Sequence, residues 1–389
     1  MEKKNKIFSS VDSLMSETWP IAKFLHENPE LGHNEFKAQN KLVSFLSEKG
    51  FQCETKIGDL KTAFVARKGS AEKGKPTIGF IAEYDALPNL GHACGHNLIA
   101  ASALTAAIAL IDSAPELAGQ VAVIGTPAEE VPPPTKQTMI DAGAFNEVDI
   151  ALIMHGGDRT ATGGKSLAID SLEFEFKGKT SHASKYPHLG VSALDAAILT
   201  MNALEYLREH VRQDVRIHGV ITNGGSRPNV VPDYASLEYY VRALDRGYLD
   251  EISERVFNCA RAGALATGAE VKINILGKHD NKILLPTLDK ILLDAAIEAD
   301  APNVMEAEKD LGSTDFGNVS HHIPASTLKL GFVPQGTPGH TPAWAAASNG
   351  PSAIKAVNVA GKAMALTAHK LLTDQNLYKK VKNEHQELT

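Results

Sequence analysis

Short apolar, β-prone runs alternating with helical spacing are what most narrows the folds open to this chain. Ala63-Phe64-Val65-Ala66, Ile78-Gly79-Phe80-Ile81, Val121-Ala122-Val123-Ile124 and Ile150-Ala151-Leu152-Ile153-Met154 each read as a buried strand. Around them the spacing predicts helices over 19–24, 38–49 and 98–111, an α/β pattern with a mostly parallel sheet. From Ser171 the texture changes. Leu172-Glu173-Phe174-Glu175-Phe176 alternates with period two, as a half-exposed antiparallel strand does. A helix over 191–208, strands at 216–221 and 235–241, a helix over 249–264 and a strand at 271–275 follow. Strand, helix, strand, strand, helix, strand is a split βαβ pattern, so a ferredoxin-like α+β insert is expected. Helical pattern returns at 288–298 and 352–372. The expected division is a discontinuous α/β domain over 1–169 and 283–389, interrupted by the insert at 170–282.

Composition removes several function classes. With 389 residues and 43% hydrophobic content, the chain can bury a large core in two domains. A net charge of −7 and the lack of a sustained basic stripe argue against a nucleic-acid partner. Cys53, Cys94 and Cys259 are too few and too scattered for a disulfide framework. The basic start Met1-Glu2-Lys3-Lys4 precedes no apolar run, so no secretory signal is expected and a cytoplasmic location is. The longest apolar stretch, Leu98 to Ile111, falls short of the ~20 residues of a membrane span. It reads as a core helix, with no membrane partner.

The chemistry concentrates in loops next to the strands. Gly91-His92-Ala93-Cys94-Gly95-His96-Asn97 gathers two imidazoles and a thiol, with Asp85 upstream at the edge of an apolar run. Imidazole nitrogen and thiolate are zinc's preferred donors, and an extended backbone would aim Cys94 and His96 the same way. A loop with a buried cysteine and surface histidines remains the plainer alternative. Glu129 and Glu130 follow the strand at Val121, where an extended backbone would turn one carboxylate towards a metal and the other towards substrate. An isolated Glu-Glu pair is more often a solvated acidic loop. Here His155 ends another apolar run, and His340 sits in the turn-rich Gly336-Thr337-Pro338-Gly339-His340-Thr341-Pro342. Loops and strand ends are where α/β enzymes place their reactive groups.

Further stretches carry a resemblance. They are His26-Glu27-Asn28-Pro29-Glu30-Leu31-Gly32 with Glu35, Glu83-Tyr84-Asp85-Ala86-Leu87-Pro88, Gly91 to Asn97 and Thr126 to Glu130. His155-Gly156, Thr180-Ser181-His182-Ala183-Ser184, Asn229-Val230-Val231-Pro232-Asp233 and Gly339-His340 complete them. In this order the chain resembles the co-catalytic metallopeptidases and aminoacylases related to carboxypeptidase G. Within their amidohydrolase branch it is similar to the aminobenzoyl-glutamate hydrolases and their relatives. The resemblance implies two divalent metal ions per subunit, zinc first, with manganese or cobalt as alternatives. Cys94 would bridge them, His96, Glu130, His155 and His340 would complete the ligands, and Asp85 would orient a ligand. Glu129 would be the general base. The insert would act as lid and dimerisation domain of a homodimer or higher oligomer. From it, His182 would stabilise the oxyanion in its own or a partner's site, and Asn229 and Arg242 would contact substrate.

Three departures stand out: Glu83-Tyr84 for the usual Asp-Met, Asn97 for an Asp, and Val131-Pro132-Pro133-Pro134 where near relatives are glycine-rich. The first two are expected of the aminobenzoyl-glutamate-like branch. The third stiffens the pocket wall and bears on the substrate side chain. Arg242 could equally point outward from an edge strand, and the loop at 312–316 reads as pocket lining. His92, His188, His321 and His322 are read as non-ligands. The function expected is hydrolysis of the amide bond of a dipeptide or acyl-amino acid by a metal-activated water. A thiol hydrolase using Cys94 with His92 or His96, and a non-catalytic binding protein on the same fold, are the rival classes.

Overall fold

A computed structural model describes residues 2–70, 75–116, 119–131, 133–309 and 311–389. In chain order the elements are α1 (Glu2–Glu27), α2 (Phe36–Glu48), β1 (Gln52–Ile57), β2 (Leu60–Gly69), β3 (Thr77–Glu83), α3 (His96–Ser113), β4 (Gln120–Thr126), α4 (Thr135–Asp141) and β5 (Ile150–Gly157). There follow β6 (Ala168–Lys177), α5 (Ala193–Arg208), β7 (Arg216–Asn223), β8 (Tyr234–Ala243), α6 (Arg246–Thr267) and β9 (Glu270–His279). The chain ends with α7 (Pro286–Glu298), α8 (Phe316–His322), β10 (Ala325–Gly331), α9 (Pro342–Ala347), α10 (Pro351–Thr373) and α11 (Gln375–Leu388). Two units emerge: Met1–Lys165 with Ile283–Leu311 and Asn318–Thr389, and Ser166–Lys282 with Gly312–Gly317.

In the first unit a six-stranded sheet runs in the order β1-β2-β4-β3-β5-β10. Strands β4, β3, β5 and β10 are parallel to one another, while β1 and β2 form an antiparallel edge. Every residue of β3 and β4 is buried, as both faces of a parallel sheet must be when helices cover them. Helix α3 packs against α1, α10 and β3, and its alanine-rich sequence is buried on all sides. By length and composition α3 could cross a membrane, but 83% of it is buried inside the protein, as expected of a core helix.

In the second unit a four-stranded antiparallel sheet, β7-β8-β6-β9, carries α5 and α6. Phe174, Phe176, Leu237, Val241, Leu249 and Val256 form its core, drawn from the inward positions of each alternating strand and from α6. Ser192 caps α5 through Asp195 N–H at 3.1 Å, and Asp245 caps α6 through Tyr248 N–H at 2.8 Å. Gly268, at φ 76°, ends α6 in the left-handed conformation that glycine adopts most easily.

The boundaries differ from the sequence expectation in two respects. The second unit begins at Ser166 and also takes Gly312–Gly317, within which the loop at 312–316 was expected to line the pocket. Leu167 N–H donates to Gly312 carbonyl at 2.8 Å, and Arg242 Nη1 donates to Ser313 Oγ at 3.1 Å. Pairings between segments so far apart in the chain leave no local pattern.

Candidate metal centre

Parallel strands β3, β4 and β5 end on the same edge of the sheet, the edge at which α/β folds bind their ligands. Glu83 closes β3 and Asp85 follows it. Glu129 and Glu130 lie just past β4, and His155 is near the end of β5. Cys94 and His96 arrive by another route. They do not lie on the extended backbone that would aim both side chains the same way. Gly95 stands at φ 86° as the N-cap of α3, so the chain turns sharply between the two side chains and His96 opens the helix. His340 is itself left-handed at φ 57°, and its N–H is fixed to the Ala93 carbonyl at 3.0 Å.

These turns converge the donor atoms. Cys94, His96 and His155 form one group whose ligand atoms lie within 4.8 Å of one another; Cys94, Glu130 and His340 form a second; and His96, Glu129 and Glu130 form a third. Cys94 Sγ is 3.5 Å from His155 Nε2. Glu130 Oε1 is 3.4 Å from His340 Nε2 and 3.8 Å from His96 Nε2, at ion-pair distance but outside hydrogen-bond geometry. Glu129 and Glu130 were expected to point opposite ways. Both reach His96 because they sit in a turn, opened by Ala128 at φ 52°. Glu35 holds that turn: its carboxylate accepts from Ala128 N–H and from Thr62 Oγ1, each at 2.8 Å. Burial, against those hydrogen bonds, pushes the Glu35 carboxyl up to about 7.

The rings are oriented from behind. His96 Nδ1 donates to Asp85 Oδ1 at 2.9 Å, and His155 Nδ1 donates to the Gly156 carbonyl at 2.9 Å. Each Nε2 therefore faces the cluster as a lone pair when the ring is neutral. Asp85 is 1% exposed, and its other oxygen accepts from Glu130 N–H at 3.1 Å, so one carboxylate positions two donors.

The electrostatics suit a cation. Burial would raise the Cys94 thiol, but His96, His155 and His340 outweigh it and bring it down to about 6, close to thiolate. The Cys94 thiolate and the Glu130 carboxylate beside it push His340 up to about 10. Burial opposes charge on His96 and His155, yet Cys94 and the neighbouring carboxylates raise both above the usual imidazole range. Protons and a divalent ion compete for the same lone pairs here. His96 Nε2 and Glu130 Oε1 are buried without a hydrogen-bond partner. Orphaned buried acceptors are costly, and a metal ion satisfies both at once. The residues fit a metal.

Two residues without an expected role adjoin the cluster. Glu83, 2% exposed, places Oε1 at 2.8 Å from Lys136 Nζ and Oε2 at 3.6 Å from His96 Nε2, and Lys136 is fully buried. Burial would raise the Glu83 carboxyl, but Lys136, His96 and His155 hold it below the ordinary range. The departure at Asn97 is structural: its amide donates to the Ala22 carbonyl at 3.2 Å and to the Ser348 carbonyl at 3.0 Å, pinning α3. Of the proline run, Pro132 lies outside the described residues; Pro133 is exposed and Pro134 precedes α4.

Comparison with known proteins decides the family. Residues 168–267 match the M20 peptidase dimerisation domain. The Xaa-Arg dipeptidase of Mus musculus is 33% identical over 98% of this chain and 91% of its own length. The chain belongs to the M20 family of metal-dependent peptidases and amidohydrolases. A p-aminobenzoyl-glutamate hydrolase from Escherichia coli is 30% identical, over 95% of this chain and 92% of its own. The crystal structure of a Bacillus subtilis dinuclear metal-binding M20 peptidase shares the fold, with a TM-score of 0.63 at 24% identity over 90% of this chain and 98% of its own. Like other M20 members, this chain is an enzyme that hydrolyses amide and peptide bonds.

The remaining expected M20 site residues lie in the second unit. His182 is exposed, bridges to Val230 across an antiparallel pair, and has Nδ1 3.3 Å from Ser184 Oγ. Asn229 is exposed, and its carbonyl accepts from Ala183 N–H at 3.0 Å, so His182 and Asn229 sit on paired segments. Arg242 does not project from an edge strand: β8 lies between β7 and β6. Its guanidinium is half-buried, 5.8 Å from the Tyr240 ring centroid, and donates to Ser313.

The double role of Asp85 gives a prediction. Asp85→Asn keeps the size but removes the charge that orients His96. Metal affinity should fall ~10–100-fold, the usual cost of losing such a partner. Chelator competition on the purified variant measures this, and unchanged affinity would show that the carboxylate is dispensable.

Proposed function

We propose that this chain is a two-metal amidohydrolase in which Glu129 is the general base. The substrates proposed are dipeptides, Xaa-Arg among them, and acyl-amino acids such as aminobenzoyl-glutamate. The observation that carries the reading is that two donor groups share Cys94, {Cys94, His96, His155} and {Cys94, Glu130, His340}, while Glu129 stands beside both His96 and Glu130. A thiolate common to two groups suits a ligand that bridges two ions. Zinc is the proposed metal because of Cys94, and a site with this many imidazoles and carboxylates also accepts manganese or cobalt. When bound, the ions supply Lewis acidity, lowering the pKa of a water and polarising the substrate carbonyl.

The protein's own residues handle the proton and the geometry. Glu129 accepts the proton of the attacking water and hands it to the leaving nitrogen. Glu35 holds the turn that presents it, and Asp85 keeps the His96 ring in place. His182 donates a hydrogen bond to the oxyanion, and Asn229 and Arg242 bind the substrate, with the Arg242 guanidinium suited to a carboxylate. A homodimer is proposed through the second unit. Its edge strand β7 leaves Val220 59% and Ile221 45% exposed, and α5 leaves Tyr206 76% exposed, an apolar edge suited to pairing with its twin.

A panel of Xaa-Arg dipeptides, dipeptides with other C-terminal residues, aminobenzoyl-glutamate and acyl-amino acids, run on metal-loaded protein, tests the substrate class. Turnover should appear within this panel and vanish when the C-terminal carboxylate is amidated. Turnover confined to amides that lack a free carboxylate would overturn the assignment.

A further inference from the structure

Glu83, like Asp85, is a carboxylate beside the cluster that is not among its grouped donors. Its position is nonetheless within reach. His96 Nδ1 is committed to Asp85, so Nε2 is the nitrogen left for a metal, and Glu83 Oε2 lies only 3.6 Å from it. A metal bound to imidazole sits ~2.0–2.1 Å from the nitrogen. Ligand atoms around one such ion are commonly separated by about the distance seen here, so a small rotation of Glu83 would let it coordinate. The other oxygen is held by Lys136 Nζ at 2.8 Å, inside a region where both side chains are almost wholly buried. Lys136 is delivered by the first turn of α4, whose start is tied down by the Thr135 hydroxyl donating to the Pro127 carbonyl, just before the two glutamates. The same short segment therefore presents Glu129 and Glu130 to the cluster and places Lys136 beneath it.

We propose that Lys136 restrains Glu83 outside the metal coordination shell, which leaves a position open for water and substrate. This rests on the two-metal reading. Catalytic metal sites differ from structural ones in keeping such a position unfilled by protein. An anionic side chain poised beside the ions would otherwise fill it. Pairing with Lys136 also makes the two side chains together electrically neutral, so they add little to the attraction between site and cation. The pair thereby trades metal affinity for an accessible ion. A buried ion pair is a poor source of stability in its own right, and a role in holding a carboxylate back gives this one a function that packing does not.

Metal binding tests this without reference to activity. Zinc affinity is measured by chelator competition for the wild type, Lys136→Met and the double variant Glu83→Gln/Lys136→Met, with turnover recorded alongside. In Lys136→Met the released carboxylate should coordinate, so affinity should rise ~10–100-fold, on the scale by which partners of metal ligands tune affinity, while kcat falls. The double variant, neutral and nearly isosteric, should hold two ions with wild-type affinity. Unchanged or weakened zinc binding in Lys136→Met overturns the proposal. So does a double variant that loses an ion, since Glu83 would then be a ligand in its own right. If Lys136→Met does not fold, the double variant alone decides between these. Absence of metal binding in the wild type would instead remove the two-metal reading itself, and is distinguishable for that reason.

Discussion

Glu129→Gln should turn over its substrate at least ~10²–10⁴-fold more slowly than wild type, the range that a positioned general base contributes. The amide keeps the size of the side chain and one acceptor oxygen but cannot take a proton. Glu129 is grouped only with His96 and Glu130, and outside the two groups that share Cys94, so metal content should stay the same. Steady-state kinetics with elemental analysis on one sample separate the two effects. A near-wild-type kcat would remove Glu129 from the mechanism, and a parallel loss of metal would make it a ligand instead.

The second large effect belongs to the second unit. Losing an oxyanion donor typically costs about 10²–10³ in rate, so His182→Ala should be nearly inactive while binding metal normally. His182 is exposed, its imidazole free of the second unit's core, as a group that reaches a reacting carbonyl has to be. Mixing His182→Ala with Glu129→Gln subunits decides whether it serves its own active site or a partner's. Acting in trans, it gives a heterodimer with one doubly defective site and one intact site, and activity returns as subunits exchange. Acting in cis, it leaves one defect in every site, and no activity returns.

Much of this was legible in the residues. Strands β3, β4 and β5 are continuous apolar runs, and the residues at their ends are rare enough in type for Cys94, His96, Glu130, His155 and His340 to stand out. What the sequence hid was conformation. Ala128 and His340 adopt positive φ although neither is glycine, so even the turn-rich sequence around His340 does not announce the backbone angles that bring their neighbours together. Glu129 and Glu130 were consequently expected to diverge, and they converge. Lys136 looks like any solvated charge on a short helix until its partner from β3 is known. Strand β1, with only Ile57 buried, is too polar to show an apolar period, and helix α11, with only Val381 and His385 buried, carries a narrow apolar face, Leu377, Val381 and Leu388, on an otherwise polar sequence. They exist because tertiary neighbours accept them. The loop at Gly312–Gly317 joins the second unit through pairings that no local pattern records.

The central claim is that hydrolysis depends on two divalent ions held in part by Cys94. Elemental analysis of the purified protein, before and after exhaustive chelation and with turnover followed on the same samples, tests it most directly. Two equivalents of divalent metal per chain are expected, with activity lost as they are removed and regained when zinc or manganese is returned. Cys94→Ser should fall short of two equivalents because a hydroxyl is a poorer donor to such ions than a thiolate, whereas Cys94→Asp, whose carboxylate can also bridge, should retain more. Full turnover in metal-free protein, abolished instead by alkylation of Cys94, would contradict the account and make the thiol the nucleophile.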